Sequence, residues 1–270
     1  MSKIRENWAG LVSVQRQRGL FFGSAGNTNI HAPHAIKICF AIESGDEFDL
    51  RVGTAGEWNS CQAVIIAPDQ PHQINGHGKN LALFYLMPET AEARKVSDSY
   101  LNHNHGFEPL SRMKVADLSS RLSSLLNQGR CTSGEAFDLN DQLIHGLKLT
   151  ASANLRQRLD ARVERAIEYL ESKIEDKVLV REIAKIAWSS VGRLAHVFKE
   201  ETNVAIRRYR IWLKLRAAIK CMSDSDSLDY IANAAGFFDQ SHFNKHFVKM
   251  HGILPSALLR YSKFVNGDDV

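Results

Sequence analysis

Cysteine is scarce in this sequence of 270 residues, and its four copies are far apart. They stand at Cys39, Cys61, Cys131 and Cys221, without the close pairing that structural zinc sites and disulfide frameworks use. This spacing argues against both and suits a reducing cytoplasm. Long hydrophobic runs are also lacking, at the N-terminus MSKIRENWAG and elsewhere, so the sequence predicts neither a secretory signal nor a membrane span. We therefore expect a cytoplasmic protein.

A strong charge of one sign is absent as well. The formal net charge is +4, with 24% charged and 44% hydrophobic residues, which is ordinary for a globular chain long enough for two cores. A mild positive excess permits nucleic acid as a partner without requiring it. No nucleophile is paired with a base, and the sequence predicts no cofactor.

The densest pattern in the chain lies in residues 228–260. Ala232 belongs to a short run of apolar residues at helical spacing, and Gly236 then ends that helix. Asp239 is a good N-cap for a following helix, in which Phe243 and Phe247 stand four residues apart. Two short amphipathic helices separated by a glycine predict a helix-turn-helix, whose second helix enters the major groove of DNA.

This stretch resembles the C-terminal signature of the AraC/XylS-type transcriptional regulators. The matching residues are Ile231, Ala232, Gly236, Phe237, Asp239, Gln240, Phe243, Phe247, Lys249, Gly252, Pro255 and Arg260. The resemblance covers residues 159–261 and implies a multidomain chain with a C-terminal all-α domain at 159–270. That domain would hold two helix-turn-helix units, at about 178–202 and 227–250, joined by a long helix.

The sequence upstream repeats the same pattern. Ala184 corresponds to Ala232 and Leu194 to Phe243, so the two units agree in spacing to within one residue at a period of roughly fifty. Ser190 is the expected N-cap of the first unit's second helix. Between the units, residues 206–222 predict one long connecting helix.

The resemblance also implies which side chains meet DNA. The base-reading candidates are Arg193, His196, Gln240, Ser241, Asn244 and Lys245. The phosphate-contacting candidates are Lys199, Arg207, Arg208, His242 and Lys249. Residues 193–220 contain eight Lys or Arg and two Glu, which supports a phosphate-neutralising surface, although a basic run is also compatible with a merely solvated helix face.

The first unit departs from the family pattern at four positions. One of them, Asn203 in place of a common glycine, is a mild change because Asn tolerates the left-handed conformation. Gly192 and Ala195 stand where large polar or aromatic readers are common, and neither side chain can hydrogen-bond a base. Trp188 replaces a small turn residue, and we expect it to pack against the connecting helix. The sequence therefore predicts that the second unit supplies more of the sequence preference than the first.

The N-terminal half, residues 1–150, reads as short strands broken by Gly, Pro, Asn and Asp over about 11–87. Strands at this spacing predict an antiparallel barrel or a double-sheet jelly roll. The order of the segments resembles the cupin-type sensing domain of many regulators in this family, which implies an all-β cupin-like barrel with flanking helices, here at about 113–149. A small, polar linker is expected at 151–158.

Histidines in this half allow three interpretations. His31, His34 and His72 could bind a metal ion, but the acidic ligand of metal-binding cupins has no counterpart near them, so we predict no metal. They could also simply flank a strand and a turn. Alternatively, His31, His34 and His72 could bind a small polar or anionic effector together with Lys37 and an apolar wall at Trp58.

The helices at about 113–149 have apolar faces that could pack on their own barrel or form a dimer interface. Symmetric dimers match two-fold DNA sites, which favours a homodimer. The primary hypothesis is a sequence-specific, double-stranded-DNA-binding transcription regulator, an activator, with RNA polymerase as a further partner and an effector-sensing N-terminal domain. The alternatives are a metal-dependent cupin enzyme with a helical appendage, and an accessory protein that clamps RNA polymerase.

Overall fold

The computed structural model describes residues 8–101, 106–149 and 159–266. By its internal contacts the chain divides into two compact units, one formed by residues 1–152 and 247–270 and the other by residues 153–246. The predicted linker at 151–158 lies outside the described residues. In the part of the chain that is described, no helix has both the length and the apolar character needed to cross a membrane.

The first unit is built on two β-sheets. Its strands are β1 (Ala9–Val14), β2 (Arg18–Ser24), β3 (Ile36–Ala41), β4 (Phe48–Val52), β5 (Trp58–Cys61), β6 (Ala63–Ile66), β7 (His72–Asn75), β8 (Asn80–Leu86), β9 (Phe107–Pro109) and β10 (Lys263–Asn266). Seven strands form one sheet in the order β10-β1-β2-β8-β3-β6-β9, and three form the other in the order β5-β4-β7. Only the pairing of β1 with β10 is parallel among the described pairs.

The strand-rich first half confirms the predicted all-β architecture, in the double-sheet form. Within residues 8–101 and 106–149 the strands make two separate sheets rather than one closed barrel. All of β3 is buried, and Ile38 pairs with Phe84 of β8 at the centre of the core. Strands β1 and β2 are joined by a tight turn, in which the N–H of Gln15 donates to the carbonyl of Arg18.

Helices of the first unit cover the large sheet. They are α1 (Ala91–Tyr100), α2 (Ala116–Gln128) and α3 (Ser133–Gly146), with a 3₁₀ turn at Arg112–Val115. Leu122 of α2 and Leu139 of α3 are fully buried in the core that the strands build. The leucine faces therefore pack against their own sheet, which is one of the two predicted alternatives. Phe137 remains half-exposed beneath the guanidinium of Arg18.

The second unit is helical. Its helices are α4 (Ala161–Ser172), α5 (Val180–Ile186), α6 (Val191–Thr202), α7 (Ile206–Cys221), α8 (Leu228–Ala234) and the first turns of α9 (Gln240–His251). The last turn of α9 and the whole of α10 (Pro255–Tyr261) belong to the first unit. The predicted connecting helix is α7, and its buried side chains include Tyr209 and Trp212. Tyr209 packs edge-on against Phe198 of α6. Two helix-turn-helix units joined by a long helix are thus confirmed.

Candidate DNA interface and candidate effector site

The first helix-turn-helix consists of α5, a short turn and α6. Ser190 caps α6 by accepting a hydrogen bond from the N–H of Arg193 at 3.3 Å, as the sequence predicts. Leu194 and Phe198 are fully buried and fix the inner face of α6. Because side chains on the opposite side of a helix then face outward, Arg193 and His196 are exposed.

The small residues of α6 lie on the same outer face. Gly192 and Ala195 are both exposed, and nothing lies within 4 Å of a β-carbon built on Gly192. The outer face therefore has open space where larger side chains would reach a base edge. In the first two turns of α6, Arg193 and His196 are the side chains that can hydrogen-bond, and His196 lies 3.9 Å from Glu200.

The second helix-turn-helix consists of α8, a turn and α9. Asp239 caps α9, since its Oδ1 accepts a hydrogen bond from the N–H of His242 at 2.6 Å. Phe243 is fully buried, whereas Ser241 and Lys245 are exposed and Gln240 is half-exposed. The first two turns of α9 therefore present polar side chains on one face, with more hydrogen-bonding capacity than α6 offers.

Asn244 and His242 are less open than the other candidates on α9. The Oδ1 atom of Asn244 is buried and has no hydrogen-bond partner among the described residues, so its carboxamide is turned partly inward. His242 is half-buried, with ring centroids 5.5 Å from Phe237 and 4.6 Å from His246. Its imidazole packs within this aromatic group, which leaves less of the ring available to a phosphate than the sequence suggests.

The two units differ by one residue in the turn. Ser189 donates its N–H to the carbonyl of Ala184, and Phe237 donates to Ala232 at the same distance of 2.9 Å, so these residues correspond. The N-cap follows directly in the first unit, but in the second unit Phe238 is interposed before Asp239. This extra residue explains why the predicted repeat agreed only to within one position.

Trp188 does not pack against the connecting helix, contrary to the sequence-based expectation. Its side chain is 82% exposed, and the Arg165 guanidinium of α4 lies 4.5 Å from the centre of its ring. Its backbone has a φ of +49°, the left-handed conformation that Gly236 adopts in the second turn with a φ of +73°. The turn keeps its backbone geometry because Trp188 accepts a conformation that favours glycine.

The basic residues of α6 and α7 divide into two groups. Lys199 and Arg207 are exposed, and Arg208 is half-buried. Arg210 donates hydrogen bonds to the carbonyls of Val178 and Asp176, at 2.9 and 3.0 Å. These two bonds hold the segment before α5 and take Arg210 out of any phosphate surface.

Lys214 also has a structural role. Its ammonium donates to the carbonyl of Gly236, and it lies 6.0 Å from the centre of the Phe237 ring. Burial, and then the neighbouring Arg210 charge, lower the pKa of Lys214. The sequence counted both residues in one basic run, because a charge count does not separate solvated cations from those that hold a turn.

A cluster of three side chains forms the candidate effector site in the first unit. The ammonium of Lys37 lies 2.7 Å from Nε2 of His31 and 2.8 Å from Nε2 of His72. Nδ1 of His31 lies 2.9 Å from the carbonyl of Asn29, and Nδ1 of His72 lies 2.8 Å from that of Gln70. A carbonyl can only accept, so each Nδ1 carries the proton, and each Nε2 accepts from Lys37.

Burial dominates the electrostatics of this cluster. Lys37 is 1% exposed, and this burial lowers its pKa to about 7. Burial, and then the Lys37 charge, also lower the pKa of both His31 and His72 well below 6.5. At neutral pH the cluster therefore holds a buried amine that is shared between its charged and neutral forms, flanked by two neutral histidines.

Two other residues from the prediction lie apart from this cluster. His34 pairs through Nδ1 with Oδ2 of Asp69 at 3.0 Å, a carboxylate supplied by the turn before β7. Trp58 is 42% exposed on β5, with the Arg51 guanidinium 5.1 Å from its ring centre. Trp58 therefore belongs to an outer sheet surface rather than to an apolar wall around Lys37. Among the described residues no group of three or more His, Cys, Asp or Glu could hold a metal ion.

Sequence reasoning missed two aromatic neighbours of the cluster. Tyr85 of β8 lies with its ring centre 5.3 Å from the Lys37 ammonium, and His251 of α9 packs edge-on against Tyr85 at 6.2 Å. Burial, and then the Lys37 charge, lower the pKa of His251 to about 3, and burial raises that of Tyr85. Sequence reasoning could have found Tyr85 only by pairing β3 with β8, because that pairing places Tyr85 opposite Lys37.

The last turn of α9 contacts the segment that carries His31. Asn29 donates its N–H to the carbonyl of Gly252 at 2.7 Å, and Ala32 donates to that of Lys249 at 3.1 Å. Lys249 has an exposed side chain, but its backbone is fixed here, in the first unit. A β-carbon on Gly252 would lie 2.6 Å from Nδ1 of His31, which requires glycine at this position.

Comparison with known proteins bears on both halves of the chain. A family model described as a helix-turn-helix domain matches residues 183–261. The HTH-type transcriptional activator RhaR of Mannheimia succiniciproducens is 22% identical over 177 residues, covering 63% of this chain and 64% of that protein. The arabinose operon regulatory protein of Salmonella typhimurium is 24% identical over 137 residues, covering 50% of this chain and 49% of that protein. The chain thus spans between about half and two thirds of the length of these relatives.

Solved structures extend the likeness to the fold of nearly the whole chain. ToxT from Vibrio cholerae O395 has a TM-score of 0.58 at 14% identity, covering 91% of this chain and 97% of that chain. A ToxT structure described as bound to an unsaturated fatty acid has a TM-score of 0.54 at 13% identity, covering 92% and 96%. The matched segment identifies residues 183–261 as a helix-turn-helix domain, the chain is similar in sequence to the transcriptional regulators RhaR and the arabinose operon regulatory protein, and it shares the two-part fold of ToxT.

Proposed function

We propose that this chain is a sequence-specific DNA-binding transcription regulator that acts as an activator in the cytoplasm. The observation that carries the proposal is the exposed polar face of α9, which presents Gln240, Ser241 and Lys245 while Phe243 anchors the opposite face. A recognition helix of a helix-turn-helix enters the major groove with its N-terminal residues toward the base edges. The first two turns of α9 have that composition and that exposure.

Base reading is assigned by side-chain chemistry. Gln240 can pair bidentately with adenine, and Lys245 can donate to the acceptors of guanine. Arg193 can pair with guanine from α6, and His196 can contact a base edge or a phosphate. Because Gly192 and Ala195 leave the rest of that face without donors or acceptors, α9 supplies most of the sequence preference.

The phosphate contacts come from Lys199, Arg207 and Arg208, of which Arg207 is the most open choice for an experiment. Cations that neutralise phosphates release condensed counterions, so binding through them weakens as salt rises. We assign a smaller part to His242, which packs against Phe237, and to Lys249, whose backbone is held in the first unit.

The N-terminal unit senses a small molecule in this proposal. The buried ammonium of Lys37, between His31 and His72, would attract an anionic group such as a carboxylate. The fatty-acid-bound state of ToxT supports a carboxylic acid as the class of effector. We further propose that the chain acts as a homodimer on two-fold DNA sites and contacts RNA polymerase, since RhaR is named an activator.

Selection of DNA from a random pool by the purified chain tests the function directly. We expect a preferred sequence with two half-sites or two adjacent major-groove segments. Recovery of DNA without any preferred sequence would contradict specific binding and favour an accessory role at RNA polymerase.

Gln240→Ala then tests the assignment of base reading. The expected result is a loss of roughly 1–3 kcal/mol of binding free energy on the preferred site, with relaxed preference at one or two adjacent base pairs. The assay is a titration of labelled specific and random DNA at fixed salt. An equal loss on both DNAs would show that Gln240 makes no base contact.

Arg207→Ala tests the phosphate surface. The expected result is weaker binding to every sequence, with the slope of log K against log salt smaller by about one unit. Arg130, an exposed arginine of the first unit, provides the matched control as Arg130→Ala. An unchanged slope for Arg207→Ala would remove this residue from the DNA-binding face.

A further inference from the structure

Both helix-turn-helix turns expose a large aromatic side chain immediately before the recognition helix. Trp188 is 82% exposed and stands two residues before the cap Ser190. Phe238 is 88% exposed and directly precedes the cap Asp239. These are the two most exposed large apolar side chains in the described part of the second unit, and each lies in the turn just before a recognition helix, although Trp188 corresponds to Gly236 and Phe238 is an insertion.

Trp188 contributes little to folding for a side chain of its size. It stands at a φ of +49°, where a non-glycine residue is strained and a bulky one is an outlier. Most of its surface remains in water, and its ring contact is the Arg165 guanidinium at 4.5 Å. Strained backbone positions of this kind cluster at functional sites, so the conformation of Trp188 points to a use of its side chain outside the fold.

Phe238 is dispensable for the turn as well. The first unit reaches its N-cap without a residue at this position, while the hydrogen bonds Ser189 to Ala184 and Phe237 to Ala232 are the same in both turns. The insertion therefore adds an exposed phenyl ring to a backbone arrangement that is complete without it. The first turn exposes its aromatic ring from a strained residue and the second from an inserted one, and both place a large apolar side chain on the surface.

We propose that Trp188 and Phe238 are DNA contacts that pack against the deoxyribose-phosphate backbone at the edge of the groove each recognition helix enters. DNA is the ligand the two turns have in common, because the residues just before a recognition helix meet the strand that borders its groove. The inference rests on the proposed function. Arg165, stacked on Trp188, adds a positive charge beside the phosphates.

This contact compensates for the sparse outer face of α6. Gly192 and Ala195 offer no hydrogen bond to a base, so the first unit needs other contacts to hold its helix in the groove. An aromatic ring against sugar buries apolar surface, which favours binding but reads no base pattern and releases no counterion. Its removal must therefore weaken specific and random DNA equally and leave the salt dependence unchanged.

The test uses the full chain and fluorescence anisotropy with labelled specific and random DNA. Trp188→Gly and Phe238→Ser remove the rings, and Met113→Ser removes a side chain of equal exposure, 87%, from the first unit. We expect each ring variant to bind both DNAs about fivefold more weakly, equivalent to about 1 kcal/mol, with an unchanged salt slope. We expect Met113→Ser to bind as the unaltered chain does, and the Tm of Trp188→Gly not to fall.

A second readout follows Trp188 itself. Trp8 and Trp212 are buried, so in a Trp58→Phe chain the fluorescence that acrylamide can quench comes from Trp188. We expect saturating DNA to reduce that quenching.

Three outcomes would overturn the assignment: dissociation constants within about twofold of the unaltered chain, quenching that DNA does not change, or intact DNA binding with lost transcription activation. The third outcome would indicate that the two rings contact a protein partner instead of DNA. If the unaltered chain binds no preferred DNA, the proposed function fails together with the inference.

Discussion

Replacing Lys37 with methionine keeps a long, unbranched side chain in the core of the first unit and removes its amine. Burial lowers the pKa of Lys37 from 10.5 to about 7. Between these values the unfolded chain binds more protons than the folded chain, so the free energy of unfolding rises with pH in that window. With about 1.4 kcal/mol per pKa unit, the whole shift amounts to roughly 5 kcal/mol, of which about 2 kcal/mol falls between pH 7 and pH 9.

The absolute stability of Lys37→Met is a poorer measure than its pH dependence. Removing the ammonium relieves a buried charge, but it also leaves Nε2 of His31 and of His72 without their donor. An unsatisfied buried acceptor costs about 1–3 kcal/mol, so the two effects are of similar size and opposite sign. The slope between pH 7 and pH 9 isolates Lys37, because the variant retains every other titrating group.

Urea unfolding at pH 7, 8 and 9 measures that slope. We expect the stability of the unaltered chain to rise relative to Lys37→Met by about 2 kcal/mol over this range. Lys95→Met, which removes an exposed lysine of α1 in the same unit, should run parallel to the unaltered chain. If the stability of Lys37→Met changed with pH in parallel with that of the unaltered chain, the conclusion that Lys37 lies in a buried site that disfavours its charge would be refuted.

Two further predictions concern the same unit. His72→Gln retains an acceptor for Lys37 but cannot be protonated. Since the pKa of His72 is well below 6.5 in the fold, thermal unfolding should show that the variant loses less stability than the unaltered chain as pH falls from 6.5 to 5. Equal losses would exclude His72 as an acid-sensitive group. Gly252→Ala places a methyl group against His31 at a φ of +78° and should lower the free energy of unfolding by more than about 2 kcal/mol. Gly134→Ala, in open space within α3, should be neutral or stabilising. Similar Tm values for both variants would contradict the close packing at Gly252.

The helical part of this structure follows closely from its sequence because helix signals are local. Ser190 and Asp239 lie at the N-caps where the sequence places them, and Phe243 is buried as its spacing predicts. Asn203 adopts the left-handed conformation that its replacement of glycine allows. The prediction for Trp188 was wrong because its side chain is exposed and lies against Arg165 of α4, a contact between distant residues that only the fold shows.

The strands and the buried cluster were less accessible to sequence reasoning. β5 and β7 are four residues long, and β5 is largely exposed, so neither shows the apolar alternation by which strands are recognised. The convergence of His31 and His72 on Lys37 depends on bridges between distant segments. His251 joins that group from a helix that lies more than two hundred residues after Lys37 in the sequence, a separation that periodicity cannot span.

The parallel pairing of β1 with β10 has a consequence for how the chain folds. Leu11 pairs with Lys263, and Ser262 donates a hydrogen bond to the carbonyl of Trp8, 254 residues away. During synthesis β1 therefore leaves the ribosome with one edge unpaired, and its partner arrives only after the entire helical segment has been made. Contacts of such long sequence separation close slowly, and an open strand edge invites association with other chains. We expect completion of the first unit to be the late step of folding, and truncation before Lys263 to promote aggregation.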